Sequence, residues 1–382
     1  MGDADVEHEL RESVGGLLDS RCALDAVRAL TEEGPGWDEA LWAELTEMGV
    51  IGLATPEEDG GEGGGMALAV AVQEELGRRL APAPAWSSLV AQAVLRVADS
   101  DVARALLPEV ASGAAPATVV TGRGVNGWSV AEPVRATSDA SGAWRLDGEA
   151  PVVVEALGSR HFLVAARGPD GPRWFVAAGA AVSVRPVLGL DPTRPLSSVE
   201  FGATPAQPLC AGDGFEPLLA AARRTALTAL AADAVGVANA ATRLGVEHAK
   251  ERRQFGRPIG TFQAVSHRLT DMFVGVETAR ALVRAAATAL DDAAQDGAAP
   301  APDNELDLAV ELAASAALDA AVAATQGCVQ VHGGMGITWE HPAHSYLRRA
   351  KADEALIAWP DRLRDRAAGR IVAAARRRLT TS

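Results

Sequence analysis

Two short segments in the second half of the chain bring cations, amides, an aromatic ring and glycines close together. The first, ERRQFGRPIG at residues 251–260, sets Arg252, Gln254 and Phe255 beside Gly256. An arginine offers a planar guanidinium to a pyrophosphate, and an aromatic ring offers a flat face to a base, so the segment suits a dinucleotide. It also suits an ordinary helix end, with a basic last turn, an aromatic staple and a glycine cap. On spacing alone the helix end is the commoner of these two interpretations.

The second segment is QVHGGMG at residues 330–336. The amide of Gln330 can bond ring edges or phosphate oxygens, and Gly333 and Gly334 can present backbone N–H groups to an anion. A glycine pair after a helix is equally typical of a helix cap. His332 is of a kind that is more often packed or solvated than catalytic. No carboxylate or cysteine stands at ligand spacing from it, so the segment predicts no metal site.

Composition limits the class of protein. The 382 residues are 48% apolar and 22% charged, with a net charge of −15 that disfavours nucleic acid as a partner. No apolar run approaches the roughly 18 residues of a membrane span, and the acidic start MGDADVEHELRESV resembles no secretory signal. Cys22, Cys210 and Cys328 are far apart, which favours neither a zinc site nor disulfides. We therefore expect a cytoplasmic protein without membrane association.

The apolar pattern divides the chain into three regions. Residues 1–115 carry apolar spacings of three and four, which predict helices. Residues 116–209 contain six or seven short alternating runs separated by turn signals, which predict a small β-barrel or sandwich. Residues 210–382 return to helical spacing with many alanines, typical of a closely packed bundle, and DGAAPAPD at 296–303 is a predicted linker.

The two segments together identify a family. ERRQFGRPIGTFQAVSHRLTDM, followed about sixty residues later by QVHGGMGITWEHPAHSYLRRAK, resembles the acyl-CoA dehydrogenase family, and the resemblance extends over nearly the whole chain. It implies an N-terminal α-helical domain (1–115), a middle small β-barrel or sandwich (116–209) and a C-terminal four-helix bundle (210–382). It also implies an FAD enzyme that desaturates an acyl thioester between Cα and Cβ, with electron-transfer flavoprotein as the electron acceptor.

The resemblance assigns cofactor contacts. In the family, FAD lies across a subunit interface, and the adenine and pyrophosphate are held by the subunit that does not hold the flavin ring. The matching residues lie in the two segments described above and at the start of the following helix: Arg252, Gln254, Phe255, Gln263, Gln330, Gly333 and Gly334.

The catalytic half departs from the family pattern. The usual proton acceptor is a glutamate six residues after the lysine of an RDAK-like motif, but here RRAK ends at Lys351 and the sixth residue is Ile357. Other members place the glutamate near the start of the first bundle helix, at a position that matches about Ala226. The usual site of a carboxylate is therefore apolar in both alignments.

The flavin-ring contacts depart as well. A family segment rich in hydroxyls and amides becomes TGRGVNGW at residues 121–128, which keeps only Thr121. A polar strand that lies against the ring becomes Val152, Val153 and Val154. Aliphatic side chains form no hydrogen bonds with the polar edge of the ring. The departures from the family pattern therefore all concern the flavin ring and the proton acceptor, and none concerns the residues that match the AMP-binding contacts.

This asymmetry favours the base-less subunit of a hetero-oligomer, similar to bacterial acyl-CoA dehydrogenases built from two unlike subunits, including those acting on steroid side chains. Such a subunit holds the AMP half of FAD, while a second, catalytic subunit supplies the ring contacts and the glutamate. Two alternatives remain. One is a homo-oligomeric flavoenzyme acting on a CoA- or carrier-bound biosynthetic intermediate, with an unusual base among Glu247, Asp233, Asp353, Glu354 and Asp361. The other is a flavin-free scaffold protein.

Overall fold

The structure is a computed structural model that describes residues 3–33, 36–124, 127–130, 134–210, 214–295 and 304–380. The predicted linker at 296–303 lies outside these ranges. The N-terminal region is helical, as predicted, and its helices are α1 (Asp3–Arg21), α2 (Leu24–Arg28), α3 (Glu39–Glu47), α4 (Gly65–Arg78), α5 (Ala85–Val97) and α6 (Asp101–Ala111). Side-chain caps begin two of them, because Asp38 accepts from the first backbone N–H groups of α3 and Ser100 from that of Ala103 in α6.

The middle region is a small barrel. Its strands are β1 (Ala117–Val120), β2 (Gly122–Gly124), β3 (Gly127–Ser129), β4 (Arg135–Ser138), β5 (Trp144–Val154), β6 (His161–Gly168), β7 (Gly171–Ala178), β8 (Ser183–Val187) and β9 (Leu196–Pro208). The main sheet runs β1-β6-β4-β5-β9-β7, and β7 also pairs with β6, so the sheet closes on itself. Closure selects the barrel over the sandwich. Its interior is apolar, with Leu146, Phe162, Phe175 and Phe201 buried.

The C-terminal region is a bundle of long helices, as predicted. These are α7 (Phe215–Glu251), α8 (Gln263–Gln295) and α9 (Asn304–His332), followed by α10 (Ala343–Asp353) and α11 (Pro360–Thr380). Helix α9 packs against α7, α8 and α11. Among the described residues, one helical segment, 305–337, is long and apolar enough to cross a membrane, and 56% of its apolar window is buried inside the protein, which is typical of the core helix of a bundle.

Helix α4 crosses α7 with their backbones in contact. A Cβ atom added at Gly77 would lie 2.3 Å from the carbonyl oxygen of Asp233, and one added at Gly236 would lie 2.0 Å from that of Glu74. Both distances are far below van der Waals contact, so only glycine fits at either position. The crossing joins the N-terminal region to the bundle and fixes the position of Asp233.

Helix α8 supplies a cap to α4. The carboxylate of Asp291 accepts hydrogen bonds from the backbone N–H groups of Met66, at 2.6 Å, and Ala67, at 2.9 Å. The N-cap residue of this helix, Gly64, has no side chain with which to cap it. The bundle therefore completes an element of the N-terminal region.

Candidate functional site

A β-hairpin follows α7 where the first segment lies. Strand β10 (Arg253–Gln254) pairs with β11 (Arg257–Pro258), and the two-residue turn consists of Phe255, with φ 53°, and Gly256, with φ 79°. Positive φ at both turn residues defines a type I′ turn. The helix-end interpretation is right that the helix stops here, since α7 ends at Glu251. It is wrong about the cap and the staple, because Gly256 lies in the hairpin turn and the Phe255 side chain is 92% exposed.

Phe255 is held in a costly conformation on the surface. A left-handed φ costs a non-glycine residue about 1–2 kcal/mol. The ring meets Phe262 edge-on at 6.1 Å, and the guanidinium of Arg257 stacks over Phe262 at 4.2 Å from its centroid. The hairpin thus supports an apolar ring that is otherwise free to contact another molecule. Strained, exposed aromatic residues of this kind are typical of binding sites.

The second segment lies beside the first. Helix α9 ends at His332, and the imidazole rings of His332 and His248 on α7 stack with centroids 4.3 Å apart. His248 lies one turn before Arg252 and accepts its backbone N–H at 2.9 Å. The side chains of Arg252, Gln254, Gln263 and Gln330 and the backbone at Gly333 and Gly334 are all exposed. We call these residues, with Phe255, the clamp surface.

The donor set of the clamp surface fits a dinucleotide tail. It presents a guanidinium, three primary amides and an exposed aromatic ring, while a Cβ added at Gly333 or Gly334 would meet nothing within 4 Å. Open backbone of this kind lets a phosphate approach the N–H groups closely. The structure therefore brings the two predicted binding segments into contact through His248 and His332, with their predicted binding residues exposed.

The residues that match the family's flavin-ring contacts also meet, but around a small, largely filled void. Thr121 and Val152 to Val154 line a void of about 30 Å³, together with Val119, Leu356 and two tryptophans, Trp86 and Trp128. The two indoles meet edge-on, with centroids 5.7 Å apart. Ligand pockets in proteins usually have volumes of about 300–1,000 Å³. A three-ring flavin does not fit here, and we call this void the closed pocket.

Both positions predicted for the proton acceptor lie beside residues that line this pocket, although neither lines it itself. Ala226 is fully buried and accepts the indole N–H of Trp86 at 3.1 Å, and Ile357, 5% exposed, follows the lining residue Leu356. Of the described residues that line the void, none is a carboxylate. Trp86 and Trp128 appear in the sequence only as members of turn-like stretches, so their meeting across the pocket was not predicted.

A buried ionic network lies next to the closed pocket and was missed by the sequence analysis. The Arg194 guanidinium stacks over Trp86 at 5.9 Å and contacts Asp233 at 3.0 Å and Glu155 at 3.8 Å. It also pairs with Asp353. The second cation, Arg349, reaches Asp233 at 3.1 Å, and further partners are Asp191 and Thr193. The network joins the barrel, α7 and α10.

Two arginines face four carboxyl groups in this network, so the carboxyls do not all ionise together. Burial raises the pKa of Glu155, and burial together with the charge of Asp233 raises the pKa of Asp353 well above its ordinary value. Burial also opposes ionisation of Asp233, but Arg194 and Arg349 together hold its pKa below the ordinary value. The raised pKa values favour the neutral forms of Glu155 and Asp353, which reduces the excess of carboxylate charge over the two cations.

The alternative bases are engaged elsewhere. Asp233 and Asp353 belong to the ionic network. Glu247 pairs with Lys250 at 2.7 Å and Glu354 with Lys351 at 2.8 Å, while Asp361 pairs with Arg364. The described lining of the closed pocket contains none of the five. The geometry thus gives no support to an unusual base at this position.

Comparison with known sequences identifies relatives over the whole length. Residues 4–114 match the acyl-CoA dehydrogenase N-terminal domain, and residues 212–356 match the acyl-CoA dehydrogenase C-terminal domain. Acyl-CoA dehydrogenase IpdE2 of Mycobacterium tuberculosis is 37% identical over 352 residues, which cover 92% of this chain and 92% of the relative. Acyl-CoA dehydrogenase FadE34 of the same organism is 35% identical over 391 residues, which cover 98% of this chain and 49% of FadE34.

Solved structures share the fold. A variant of the steroid ACAD Tcur3481-Tcur3483 superimposes with a TM-score of 0.84 at 31% identity, covering 98% of this chain and 99% of that one. The ChsE4-ChsE5 complex from Mycobacterium tuberculosis superimposes with a TM-score of 0.79 at 26% identity, covering 97% and 96%.

Proposed function

Because the chain belongs to the acyl-CoA dehydrogenase family, whose members are oxidoreductases acting on CH–CH bonds, we propose that it is the base-less subunit of a hetero-oligomeric, FAD-dependent enzyme. In this proposal the clamp surface binds the AMP half of an FAD whose ring lies in a second, catalytic subunit. The single observation that carries the proposal is the contrast between an open clamp surface and a closed pocket in one chain.

In this proposal the side chains of this chain determine which steps it performs and which the catalytic subunit performs. Arg252 offers a charge-assisted hydrogen bond to a phosphate, and Phe255 offers a stacking face to an adenine. An FAD held by Arg252 and Phe255 in this way would supply a hydride acceptor for Cβ of an acyl thioester bound at the catalytic subunit. The α-proton goes to a glutamate of the catalytic subunit, because no carboxylate in the described part of this chain reaches the closed pocket. Trp86, Trp128 and the ionic network keep this chain rigid beneath its partner.

The relatives support the choice of partner and substrate class. The structures that resemble this chain include a two-component steroid ACAD and a complex of two differently named proteins. We therefore propose an acyl-CoA substrate from steroid or fatty acid metabolism and an unlike acyl-CoA dehydrogenase subunit as partner. Electron-transfer flavoprotein as the acceptor and a cytoplasmic location complete the proposal.

Purification with and without a partner tests the assignment. The chain is expressed alone and together with the acyl-CoA dehydrogenase-like products of neighbouring genes, and the visible spectrum of each preparation is recorded. Flavin that appears only on co-expression supports the proposal. Stoichiometric flavin and turnover in the chain alone would establish a homo-oligomeric enzyme, and a stable, colourless oligomer under both conditions would leave a scaffold.

Arg252 supplies the sharper test. Arg252→Ala in the co-expressed complex should weaken FAD retention by about 1.5–3 kcal/mol, as expected for a lost charge-assisted bond to phosphate. Arg253→Ala is the matched control, since Arg253 is an exposed neighbour on the same hairpin. Equal retention in the two variants would contradict the clamp assignment.

A further inference from the structure

Three imidazole rings lie against one another next to the clamp surface, with angles of 30° and 51° between neighbouring ring planes. The ring of His332 lies 4.3 Å from that of His248 on one side and 4.3 Å from that of His341 on the other. His332 is buried, and its two neighbours are half-buried. The rings come from the end of α7, the end of α9 and the loop before α10. We call them the histidine stack.

Hydrogen bonds fix the protons of two of the rings. The carbonyl of Cys328 can only accept, so Nδ1 of His332, 2.8 Å away, must donate to it. The backbone N–H of Ala343 donates to Nδ1 of His341 at 3.2 Å, so this nitrogen carries no proton. Ala343 is the first residue of α10. A proton taken up at Nδ1 of His341 therefore removes a hydrogen bond at the start of that helix.

The surroundings of the stack disfavour positive charge. Burial lowers the pKa of His248, and His332 and Arg252 lower it further, opposed by Glu251. Burial also lowers the pKa of His341, followed by the effects of His332, His248 and His344. A further titratable group against the stack is Cys328, whose sulfur lies 3.6 Å from His332 Nδ1. Glu251 is the one anion among these groups, so the stack has little to balance a second proton.

We propose that the histidine stack is a proton-sensitive positioning element, which holds the two segments of the clamp surface together while its rings are neutral and releases them when acid charges more than one ring. The inference rests on the proposed function of the clamp surface. Two cationic rings in contact repel strongly in a partly buried site. Charging His341 also breaks the bond to α10. Both effects act on the elements that place Arg252 and Gly333.

The proposal predicts a pH profile for flavin release. The co-expressed complex is taken from pH 8 to pH 4.5, and released FAD is followed by its fluorescence. The wild type should lose flavin on acidification. His248→Phe keeps a flat ring against His332, but this ring does not titrate. The pH at which half of the flavin is released should therefore be about one unit lower in this variant than in the wild type, as expected for coupled sites. His248→Ala removes the ring, and its Kd for FAD at pH 8 should rise by about tenfold.

A second measurement needs no flavin. Side-chain NMR of the full chain, with histidine signals assigned by single substitutions, should show His248 and His341 titrating below the ordinary range for histidine. His248→Phe should raise the pKa of His341, because one repelling neighbour is gone. Uncoupled titrations would overturn the proposal, as would identical acid profiles in the wild type and His248→Phe, or flavin binding that tightens on acidification. Failure of the proposed function is recognised separately, by unchanged retention in Arg252→Ala.

Discussion

The indole N–H of Trp86 donates to the carbonyl oxygen of Ala226, 3.1 Å away in α7. The bond ties the start of α5 to the helix on which part of the family carries its glutamate. Trp86 also lies under the Arg194 guanidinium and against Trp128. One side chain thus closes the pocket and connects it to the ionic network.

Truncating Trp86 should destabilise the chain strongly. Trp86→Ala leaves a cavity in a closed core, so the free energy of unfolding in urea should fall by about 3–5 kcal/mol. Trp86→Phe keeps most of the ring and loses the bond to Ala226, with an expected loss of about 1 kcal/mol. Trp359→Ala is the control, because Trp359 is 53% exposed. Equal losses for Trp86→Ala and Trp359→Ala would show that Trp86 does not fill the pocket.

Restoring a glutamate to the closed pocket should not restore an active site. In Ala226→Glu, the carboxyl enters a fully buried, mostly apolar place, so its pKa in the folded state rises above the unfolded value of about 4.3. The folded state then binds the extra proton, and the loss of stability grows as pH rises from 5 towards 8. Ala226→Gln should show a similar loss at every pH. Melting temperatures between pH 5 and pH 8 distinguish the two, and parallel curves would show that the pocket is wet.

The ionic network should respond unequally to two isosteric changes. Asp233 has a lowered pKa, so its stabilising effect is present above about pH 3.8 and is lost as pH falls through the folded-state value. Asp233→Asn leaves two buried guanidinium groups undercompensated and should cost about 3–5 kcal/mol at pH 7.

Asp353 has a raised pKa, because burial and the charge of Asp233 favour its neutral form in the fold. Asp353→Asn should therefore cost less than about 1 kcal/mol at pH 7. Because ionisation of Asp353 opposes folding, the variant should lose less stability than the wild type as pH rises. Urea unfolding of both variants measures the difference, and a larger loss for Asp353→Asn would reverse the assignment of charges.

The hairpin should separate stability from binding. Phe255→Gly relieves a positive φ, which stabilises the folded state, and gives the unfolded chain more freedom, which opposes that gain. The melting temperature of the chain alone should therefore be unchanged or slightly raised. FAD retention in the complex should fall, since the exposed ring is gone. Gly256→Ala is the converse control. It keeps the Phe255 ring, and it should lower the melting temperature because the positive φ at residue 256 disfavours a Cβ. A complex that holds FAD equally well with glycine at position 255 would exclude the stacking role.

The sequence predicted the larger features because they depend on local periodicity. Apolar spacing located α1, α4 and the long bundle helices, and alternation located the strands of the barrel. Motif spacing grouped Arg252 with Gln330, and the structure places their segments side by side. The sequence did not distinguish a barrel from a sandwich, because closure of the barrel depends on the pairing of β6 with β7.

Features made by distant residues were not predictable from one sequence. Trp86 and Trp128 belong to different regions, and nothing in their local sequence indicates that their rings meet. Nothing in the local sequence around Glu155 and Arg194 indicates that folding buries them together with Asp353. His332 and His341 lay within the second recognised segment and His248 just before the first, but only the fold shows that their rings meet. The exposure of Phe255 depends on a turn type that its aromatic side chain does not suggest.

Helices α4 and α7 cross at Gly77 and Gly236, two residues whose side chains take no part in binding or catalysis. The crossing nevertheless makes the fold sensitive to substitution at both positions. A single methyl group at either glycine would push apart the helices that carry Glu74 and Asp233. Separation of these helices would displace the ionic network, the closed pocket and the contact of the N-terminal region with the bundle. None of the functional residues would itself have been substituted. Loss-of-function alleles are therefore to be expected at two residues that contact neither cofactor nor substrate.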